Sequence, residues 1–263
     1  MKVLVTGGAG FIGSNIVDEL IEQGHEVTVI DNLLTGKKEY IHNQADFYKM
    51  NINSTELEDV IKEKEITHVI HQAAQIDVQH SLENPEFDAS NNIMGTINLL
   101  ESCRINNVEK IIYASSAAVY GEPDYLPIDE KHPISAISPY GISKHTPEHY
   151  IKIYNKLYGL DYTILRYANA YGPRQDPLGE GGVISIFVDR MLEGKQPVIY
   201  GDGEQTRDFI YVSDIVAANI AALKRGDGKL VNISCNTQDS INELYQSINS
   251  ILDLNLQPIY KAE

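Results

Sequence analysis

The chain has 263 residues, of which 21 are Lys or Arg and 37 are Asp or Glu, so its formal net charge at pH 7 is −16. A surface that binds nucleic acid or an anionic membrane needs a basic face, and this charge argues against both partners. The composition, 43% hydrophobic and 22% charged, is typical of a globular protein rather than a disordered one.

The cysteines, the histidines and the apolar segments exclude several further classes. Cys103 and Cys235 are too few for a disulfide framework, and we expect free thiols in a reducing cytosol. The eight histidines lack zinc-type spacing, which predicts no metal site. The apolar start of the chain is too short for a signal peptide, and no other segment is long and apolar enough to span a bilayer. We therefore expect a cytoplasmic protein.

Short β-branched runs alternate with longer amphipathic runs through residues 1–168. The periodicity predicts strands at 2–6, 26–30, 47–52, 67–71, 110–115 and 162–167. It predicts helices at 11–23, 56–64, 86–106 and 138–157. This order predicts an α/β fold of βαβ units, a doubly wound parallel sheet of the Rossmann type.

Glycine and proline become more frequent after residue 168, in clusters at 172–173, 179–182 and 201–203. Helices are predicted near 183–193, 214–224 and 241–252, alternating with short strands. Residues 169–263 are therefore predicted to form a smaller α/β lobe, with elements that can return to the first domain.

A glycine-rich turn follows the first predicted strand. Gly7, Gly10 and Gly13 lie between that strand and the next predicted helix, as a dinucleotide-binding turn requires. A side chain at the first two positions would block the approach of a pyrophosphate, and the third glycine lets helix and strand pack closely. The helix amides would face the phosphates. The alternative is a glycine-rich turn without a ligand.

An acidic residue ends the second predicted strand. The carboxylate of Asp31 can accept hydrogen bonds from both hydroxyls of a cofactor ribose, and it repels a 2′-phosphate, so it favours NAD over NADP. Lys37 and Lys38 lie nearby and leave NADP open. The alternative for Asp31 is a solvated turn residue before Asn32.

A Tyr-x-x-x-Lys pattern marks the helix predicted at 138–157. The spacing puts the phenol of Tyr140 and the ammonium of Lys144 on one helical face. With Ser138 as N-cap and Pro139 as first helical residue, Tyr140 lies in the first turn, where the helix dipole and Lys144 favour a phenolate. Such a phenolate is a usable base, although the pattern alone is often accidental.

Two hydroxyls, Ser115 and Ser116, are expected just past the end of a strand, at the edge where doubly wound sheets bind ligands. Together with the glycine turn, Asp31-Asn32 and the Tyr140/Lys144 pair, they resemble the extended short-chain dehydrogenase/reductase family. Within it the chain is most similar to the NAD-dependent nucleotide-sugar epimerases and dehydratases of the UDP-glucose 4-epimerase group. Segments 71–75, 92–96, 165–173 and 201–209 match the family along nearly the whole chain.

The resemblance implies bound NAD and a UDP-sugar substrate, with 1–168 as the NAD domain and 169–263 as the sugar-nucleotide lobe. It implies catalytic roles for Ser116, Tyr140 and Lys144. NAD would be held by Gly7, Gly10, Phe11, Ile12, Gly13, Asp31, Asn32, Leu33, Thr35, Gly36, Asn51, Ile52, Gln72, Ala73, Ala74, Gln75, Asn92, Ser115, Tyr140, Lys144, Tyr167 and Ala168. The substrate would be held by Ser116, Tyr140, Asn169, Val183, Val198, Tyr200 and Arg207.

The residues after Ser116 favour one reaction of the family. Ala117 and Ala118 stand where the dehydratases of the family carry an Asp-Glu acid/base pair, so the resemblance implies 4-epimerisation, most simply of UDP-glucose and UDP-galactose. Epimerases acting on N-acetylhexosamine or glucuronate sugars are alternatives. The resemblance also implies a homodimer formed through the helices at 86–106 and 138–157.

Two departures from the family keep a non-catalytic NAD-binding sensor open as an alternative. Pro147 lies inside the predicted helix that carries Tyr140 and Lys144, where we expect a kink. The family also continues, beyond the point where this sequence stops, with an Arg and an Asp that hold the nucleotide sugar. For Arg207 an ion pair with Asp208 or Asp214 is the alternative to a diphosphate contact.

Overall fold

A computed structural model of the protein describes residues 1–178 and 182–262. The chain divides into two compact units, Met1–Tyr167 with Ser213–Ile233, and Ala168–Val212 with Ser234–Glu263. Residues 213–233 are thus a later segment that joins the first unit. The glycine cluster predicted at 179–182 lies outside the described residues except for Gly182.

The strands alternate with helices along the first unit and become shorter in the second. The strands are β1 (Lys2–Thr6), β2 (Glu26–Asp31), β3 (Asp46–Lys49), β4 (His68–His71), β5 (Lys110–Ser116), β6 (Asp161–Tyr167), β7 (Asn169–Tyr171), β8 (Val198–Tyr200), β9 (Thr206–Arg207), β10 (Phe209–Tyr211), β11 (Lys229–Ile233), β12 (Asp239–Ser240) and β13 (Ile259–Lys261). The helices are α1 (Phe11–Glu22), α2 (Leu57–Glu63), α3 (Val78–Glu83), α4 (Pro85–Ala89), α5 (Gly95–Ile105), α6 (Pro139–Tyr158), α7 (Val183–Leu192), α8 (Val212–Ala222) and α9 (Ile241–Ile251).

The first unit contains a seven-stranded sheet in the order β11-β6-β5-β4-β1-β2-β3, and every pairing in it is parallel. The apolar side chains of β1, Val3, Leu4 and Val5, are completely buried on both faces, as a parallel sheet covered by helices requires. The strand order reverses at β1, which lies between β2 and β4. The predicted doubly wound α/β fold is confirmed. Such sheets bind ligands beyond the carboxyl ends of the strands at this reversal.

The helix α6 begins as the sequence predicts. The Ser138 hydroxyl accepts the amide of Gly141 at 3.1 Å, Pro139 is the first helical residue, and Gly159 ends the helix at a φ of 76°. The helix runs unbroken through Pro147.

Two predicted elements differ in extent. The strand predicted at 47–52 ends at Lys49, so Asn51 and Ile52 lie in the loop that leaves the sheet where β2 also ends. The single helix predicted at 86–106 contains a π-helical segment, Ser90–Met94, between α4 and α5. Such segments widen a helix by one residue and often occur at functional sites. Asn92 lies on this one.

The second unit contains three strand pairs, β7 with β10, β8 with β13, and β9 with β12. Its core is formed by apolar residues of α7, β8 and α9: Phe187, Met191, Ile199, Ile241, Tyr245 and Ile248. At the start of α9 the Ser240 hydroxyl accepts the amide of Glu243, and the Glu243 carboxylate accepts the amide of Ser240, which forms a capping box.

Within residues 1–178 and 182–262, no helix has the length and apolar character needed to cross a membrane. The same residues contain no group of three or more His, Cys, Asp or Glu side chains placed to hold a metal ion. Cys103 is buried and Cys235 is exposed, and both are free thiols.

We expect Gly13→Ala to lower the free energy of unfolding by about 2 kcal/mol. A Cβ atom at Gly13 would lie 2.1 Å from the carbonyl oxygen of Gly7, so α1 or the turn has to shift. Gly10→Ala is the control, because its Cβ would lie 3.3 Å from the same oxygen. Urea unfolding measures both variants, and equal losses would contradict the packing argument.

Candidate active site

The turn between β1 and α1 is shaped by glycines that no other residue can replace without movement. Gly7 has a φ of +72°, and a Cβ there would lie 2.7 Å from the amide nitrogen of Ala73. Gly13 lies against the Gly7 carbonyl, which brings the first turn of α1 onto the end of β1. The turn therefore forms a cradle with open backbone amides, and this cradle fits a pyrophosphate.

Asp31 ends β2 with its carboxylate held by backbone amides. Its Oδ2 accepts the amide of Ala9 at 3.0 Å, and its Oδ1 accepts the amide of Leu33 at 2.8 Å. A Cβ at Gly36 would lie 2.9 Å from Oδ1, so the following loop needs a glycine to close over the carboxylate. Each oxygen keeps a lone pair for a further donor, such as a ribose hydroxyl.

The other residues predicted to hold the cofactor also follow sheet strands. Asn32, Leu33, Thr35 and Gly36 follow β2, Asn51 and Ile52 follow β3, Gln72, Ala73, Ala74 and Gln75 follow β4, and Phe11 and Ile12 open α1. The Gln72 side chain donates to the Tyr167 hydroxyl at 3.0 Å, and Asn219 donates to the same oxygen at 2.7 Å. Ala168 belongs to the second unit.

Asn92 fastens the chain after β4 to the π-helical segment. Its Oδ1 accepts the amide of Gln75 at 2.7 Å, and its Nδ2 donates to the carbonyl of Gln75 at 3.0 Å. The same Nδ2 reaches the Ser143 hydroxyl on α6 at 2.9 Å. Asn92 therefore links three elements around the predicted catalytic helix.

A buried histidine that the sequence did not single out, His71, is the last residue of β4. His71 Nδ1 lies 2.7 Å from the Thr6 hydroxyl, and Nε2 lies 2.9 Å from the Thr96 hydroxyl. Thr96 donates its own proton to the carbonyl of Asn92, so it accepts from His71 Nε2–H. Burial lowers the pKa of His71 to about 3, so the ring is neutral at physiological pH.

Ser115 and Ser116 end β5 and face different partners. The Ser116 hydroxyl accepts the amide of Ala118 at 3.1 Å and is half-buried. The Ser115 hydroxyl is buried and donates to Glu148 Oε1 at 2.7 Å. Ser116 is therefore available to a ligand, while Ser115 fastens β5 to α6.

Tyr140 is half-buried in the first turn of α6, the position that the sequence predicts. Its amide donates to the hydroxyl of Ser81 on α3 at 3.2 Å. The dipole of α6 places positive partial charge at this end of the helix, near the Tyr140 side chain, which favours a phenolate.

Lys144 lies one turn after Tyr140 and is 4% exposed. Its Nζ lies 4.8 Å from the centre of the Tyr113 ring, and the Tyr113 hydroxyl donates to the Lys144 carbonyl at 3.1 Å. Burial lowers the pKa of Lys144 to about 8, while the negative charges of Asp88 and Glu148 oppose that shift. Lys144 is therefore an ammonium ion at neutral pH, although its burial disfavours the charged form.

Glu148, one turn further, is completely buried and paired with Arg166 of β6. Arg166 Nε and Nη2 donate to the two carboxylate oxygens at 2.9 and 2.6 Å. Burial raises the pKa of Glu148, but the hydrogen bonds from Arg166 and Ser115 outweigh burial and hold that pKa below its ordinary value. Arg166 also donates to the Tyr120 hydroxyl at 2.8 Å.

The second unit has a pocket of about 270 Å³. Five of the seven predicted substrate residues belong to the second unit, and all five line this pocket: Asn169, Val183, Val198, Tyr200 and Arg207. The sequence did not single out further lining residues from α7, β10 and α9, among them Phe187, Phe209 and Ile241. Apolar side chains thus form much of the wall, and polar side chains come from β7 and β9.

Arg207 makes no ion pair within the described part of the chain; its Nη1 donates to the carbonyl of Thr206 at 2.8 Å. The Asp208 carboxylate instead accepts the amides of Cys235 and Thr237 at 2.9 and 3.2 Å. The pairing with Asp208 or Asp214 that was the alternative for Arg207 is therefore absent from the described residues, and Arg207 is exposed at the pocket.

Sequence patterns do not single out four residues near the Lys144 side chain, Asp88, His71, Tyr113 and Glu148, nor Arg166, which pairs with Glu148. The signal that was available is spacing: Asp88 precedes Asn92 by four residues, and Glu148 follows Lys144 by four, so each pair shares a helical face.

Comparison with known proteins identifies the family of this chain. The family model described as the NAD dependent epimerase/dehydratase family matches residues 3–234. A protein of Methanocaldococcus jannaschii, provisionally named a UDP-glucose 4-epimerase, is 53% identical over 98% of this chain and 85% of its own length.

Two solved structures have nearly the same fold. UDP-glucose 4-epimerase of Thermotoga maritima, solved with UDP-glucose, is 44% identical, with a TM-score of 0.98 over 100% of this chain and 86% of that one. UDP-N-acetylglucosamine 4-epimerase of Methanobrevibacter ruminantium, in complex with UDP-N-acetylmuramic acid, is 40% identical, with a TM-score of 0.96 over 100% of this chain and 85% of that one. The chain therefore belongs to the NAD dependent epimerase/dehydratase family.

Proposed function

We propose that this protein is an NAD-dependent UDP-sugar 4-epimerase that interconverts UDP-glucose and UDP-galactose, a reaction of galactose metabolism. The observation that carries the proposal is the pairing of Tyr140, in the first turn of α6, with Lys144, a buried ammonium one turn later. This arrangement supplies a phenolic base at neutral pH. The names of the relatives agree with the same reaction.

The first unit has the features that NAD binding requires. The glycine cradle at residues 7–13 would hold the pyrophosphate, and the Asp31 carboxylate would accept the hydroxyls of the adenosine ribose. A 2′-phosphate would meet the negative charge of Asp31, so NADP is disfavoured. When bound, NAD supplies the acceptor and donor of the hydride at C4 of the sugar.

Tyr140 performs the proton transfer in the proposed reaction. As a phenolate, its Oη takes the proton from the 4-hydroxyl of the sugar, and it returns that proton after the sugar ring has presented its other face. The positive charge of the Lys144 ammonium would stabilise the Tyr140 phenolate, and the ammonium would hold the hydroxyls of the nicotinamide ribose. The Ser116 hydroxyl donates a hydrogen bond to the reacting oxygen and relays the proton.

The second unit has the features expected of a site for the nucleotide part of the substrate. Val183, Val198 and Tyr200 would enclose the uracil ring, because they form an apolar wall of the pocket. The unpaired guanidinium of Arg207 would bind the diphosphate in a bidentate manner, and Asn169 would donate to it.

The residues after Ser116 favour epimerisation over elimination of water. Elimination needs a proton donor and acceptor beside the reacting carbons, and Ala117 and Ala118 provide neither. A second candidate substrate is UDP-N-acetylglucosamine, because the Methanobrevibacter relative is as similar in fold as the UDP-glucose enzymes.

The outer faces of two helices support a homodimer. Ile142, Tyr150, Ile153 and Leu157 share one face of α6 and are between 38% and 60% exposed. Phe87, Met94 and Ile105 are similarly exposed along 85–105. Two copies would bury both faces in a four-helix bundle. The free thiols of Cys103 and Cys235 agree with a reducing, cytoplasmic location.

We expect Tyr140→Phe to lower kcat for the conversion of UDP-galactose to UDP-glucose by roughly 10²-fold or more, because the proton at the 4-hydroxyl loses its acceptor. The assay follows UDP-glucose formation by purified protein with NAD, and Tyr150→Phe on the same helix is the matched control. No turnover by the unaltered protein, although it binds NAD, would favour the non-catalytic sensor. A panel with UDP-N-acetylglucosamine and UDP-glucuronate identifies the sugar.

We expect Arg207→Gln to raise the KM for the UDP-sugar roughly 10-fold or more with little change in NAD affinity, since a charge-assisted bidentate contact is lost. Lys195→Gln, an exposed cation of the same unit that pairs with Glu193, is the control. Steady-state kinetics and NAD titration measure both values. An equal loss of NAD affinity would contradict the assignment.

We expect light scattering to give twice the mass of one chain at working concentration. Leu157→Glu together with Ile153→Glu should convert this dimer to monomer, because charges would be buried in the bundle. A monomeric mass for the unaltered protein would overturn the dimer.

A further inference from the structure

The carboxylate of Asp88 is buried on the side of α6 that carries Lys144, and nothing in the proposed reaction uses it. Asp88 is only 1% exposed. Oδ1 accepts from Asn92 Nδ2 at 3.1 Å, and the same Nδ2 reaches the Ser143 hydroxyl at 2.9 Å. Oδ2 is buried without a hydrogen-bond partner in the part of the chain that the structure describes. A buried carboxylate oxygen without a donor is unfavourable, so this acid needs another source of stabilisation.

That source is the Lys144 ammonium. Asp88 is the first of the two charges that oppose the effect of burial on the pKa of Lys144. Burial raises the pKa of Asp88 above its ordinary value, and the Ser143 hydroxyl and the Lys144 charge oppose that rise. Within residues 1–178 and 182–262, no carboxylate lies within salt-bridge distance of Lys144. Its nearest specific contact is the face of the Tyr113 ring. The ammonium therefore depends on negative charge at longer range.

The other groups around Lys144 supply less of that charge. Glu148 also opposes the effect of burial on the Lys144 pKa, but its contribution is smaller than that of Asp88, and its carboxylate is paired with Arg166. Burial lowers the pKa of His71 to about 3 and raises that of Tyr113 far above its ordinary value, so both are neutral.

Two histidines further out do not change this balance. Burial lowers the pKa of His145, which lies beside Glu148, so its ring is neutral above its ordinary titration range. His80 lies near Asp88 and favours the charged form of that carboxylate. Asp88 is thus the carboxylate near the Lys144 ammonium that makes no ion pair within the described residues.

We propose that Asp88 is a positioning residue that acts through Lys144: its carboxylate is the counter-charge that keeps the buried lysine protonated. The catalytic consequence of this inference rests on the proposed function, but the charge relation itself does not. Asn92 and Ser143 hold Asp88 in place, which accounts for a polar cluster beside the π-helical segment.

The sign of the effect follows from burial. Without the negative charge at position 88, burial acts on Lys144 with less opposition, and the pKa of Lys144 falls below about 8. The ammonium then deprotonates at a lower pH, and Tyr140 loses the positive charge that stabilises its phenolate. The alkaline limb of the kcat/KM profile therefore moves to lower pH.

The test compares Asp88→Asn, which removes the charge and keeps the shape, with Asp88→Glu, which keeps the charge. Protein labelled with ¹³C at lysine Cε reports the titration of Lys144 by NMR, and Lys144→Arg identifies its signal. We expect Asp88→Asn to lower the Lys144 pKa by about 1 unit, and Asp88→Glu to leave it near the value of the unaltered protein. Asp59→Asn, an exposed acid on α2, is the control and should leave it unchanged.

An unchanged Lys144 pKa in Asp88→Asn would overturn the proposal, as would an equal fall in Asp88→Glu, which would assign the effect to shape. If Asp88→Asn does not fold, Asp88→Ser takes its place in the same comparison. The NMR titration needs no turnover, so it stands if the proposed reaction is wrong. If the unaltered protein epimerises UDP-galactose, the alkaline limb of Asp88→Asn should move to lower pH by the same amount as the Lys144 titration.

Discussion

The buried pair of Glu148 and Arg166 is the interaction on which the geometry of the first unit depends. It joins the middle of α6 to β6 through two hydrogen bonds, and the Ser115 hydroxyl adds β5 to the same carboxylate. Breaking one partner of such a pair costs about 3–5 kcal/mol, because the other charge stays buried without compensation. A shift of α6 along the sheet would break these contacts and would therefore be costly. The positions of Tyr140 and Lys144 follow from this fixed position of α6.

This pair also explains how α6 tolerates a proline. Pro147 lies between Lys144 and Glu148 and removes the amide that would bind the Ser143 carbonyl. The helix nevertheless continues to Tyr158, because contacts to the sheet hold it on both sides of the proline. Before it, Tyr113 binds the Lys144 carbonyl; after it, Arg166 holds Glu148. Tertiary contacts thus replace the missing helical hydrogen bond.

Sequence patterns predicted the parts of this molecule that depend on neighbours along the chain. The glycine turn, the cap at Ser138 and the Tyr140/Lys144 spacing are local, and each is recognisable because only a few residue types satisfy its geometry. The position of Asp88 depends on α4 packing against α6, and the neutral state of His71 depends on the burial of its ring between β1 and α5. No local pattern encodes these contacts. The early end of β3 at Lys49 likewise reflects where its neighbour β2 ends, which tertiary packing decides.

Local contacts also explain how an acidic chain can bind anions. At physiological salt, the net charge of a protein acts only weakly beyond the screening length. An anion bound at a site interacts mainly with the charges and dipoles within a few ångströms of it. The glycine turn offers amides rather than basic side chains. Arg207 makes no ion pair within the described residues, and the neighbouring Asp208 carboxylate accepts the amides of Cys235 and Thr237 instead. Lys144 is as buried as Arg166, but it makes no ion pair within the described residues, and the negative charges of Asp88 and Glu148 oppose the effect of burial on its pKa. Some of the acidic residues therefore favour the charged state of a buried cation beside the proposed catalytic tyrosine.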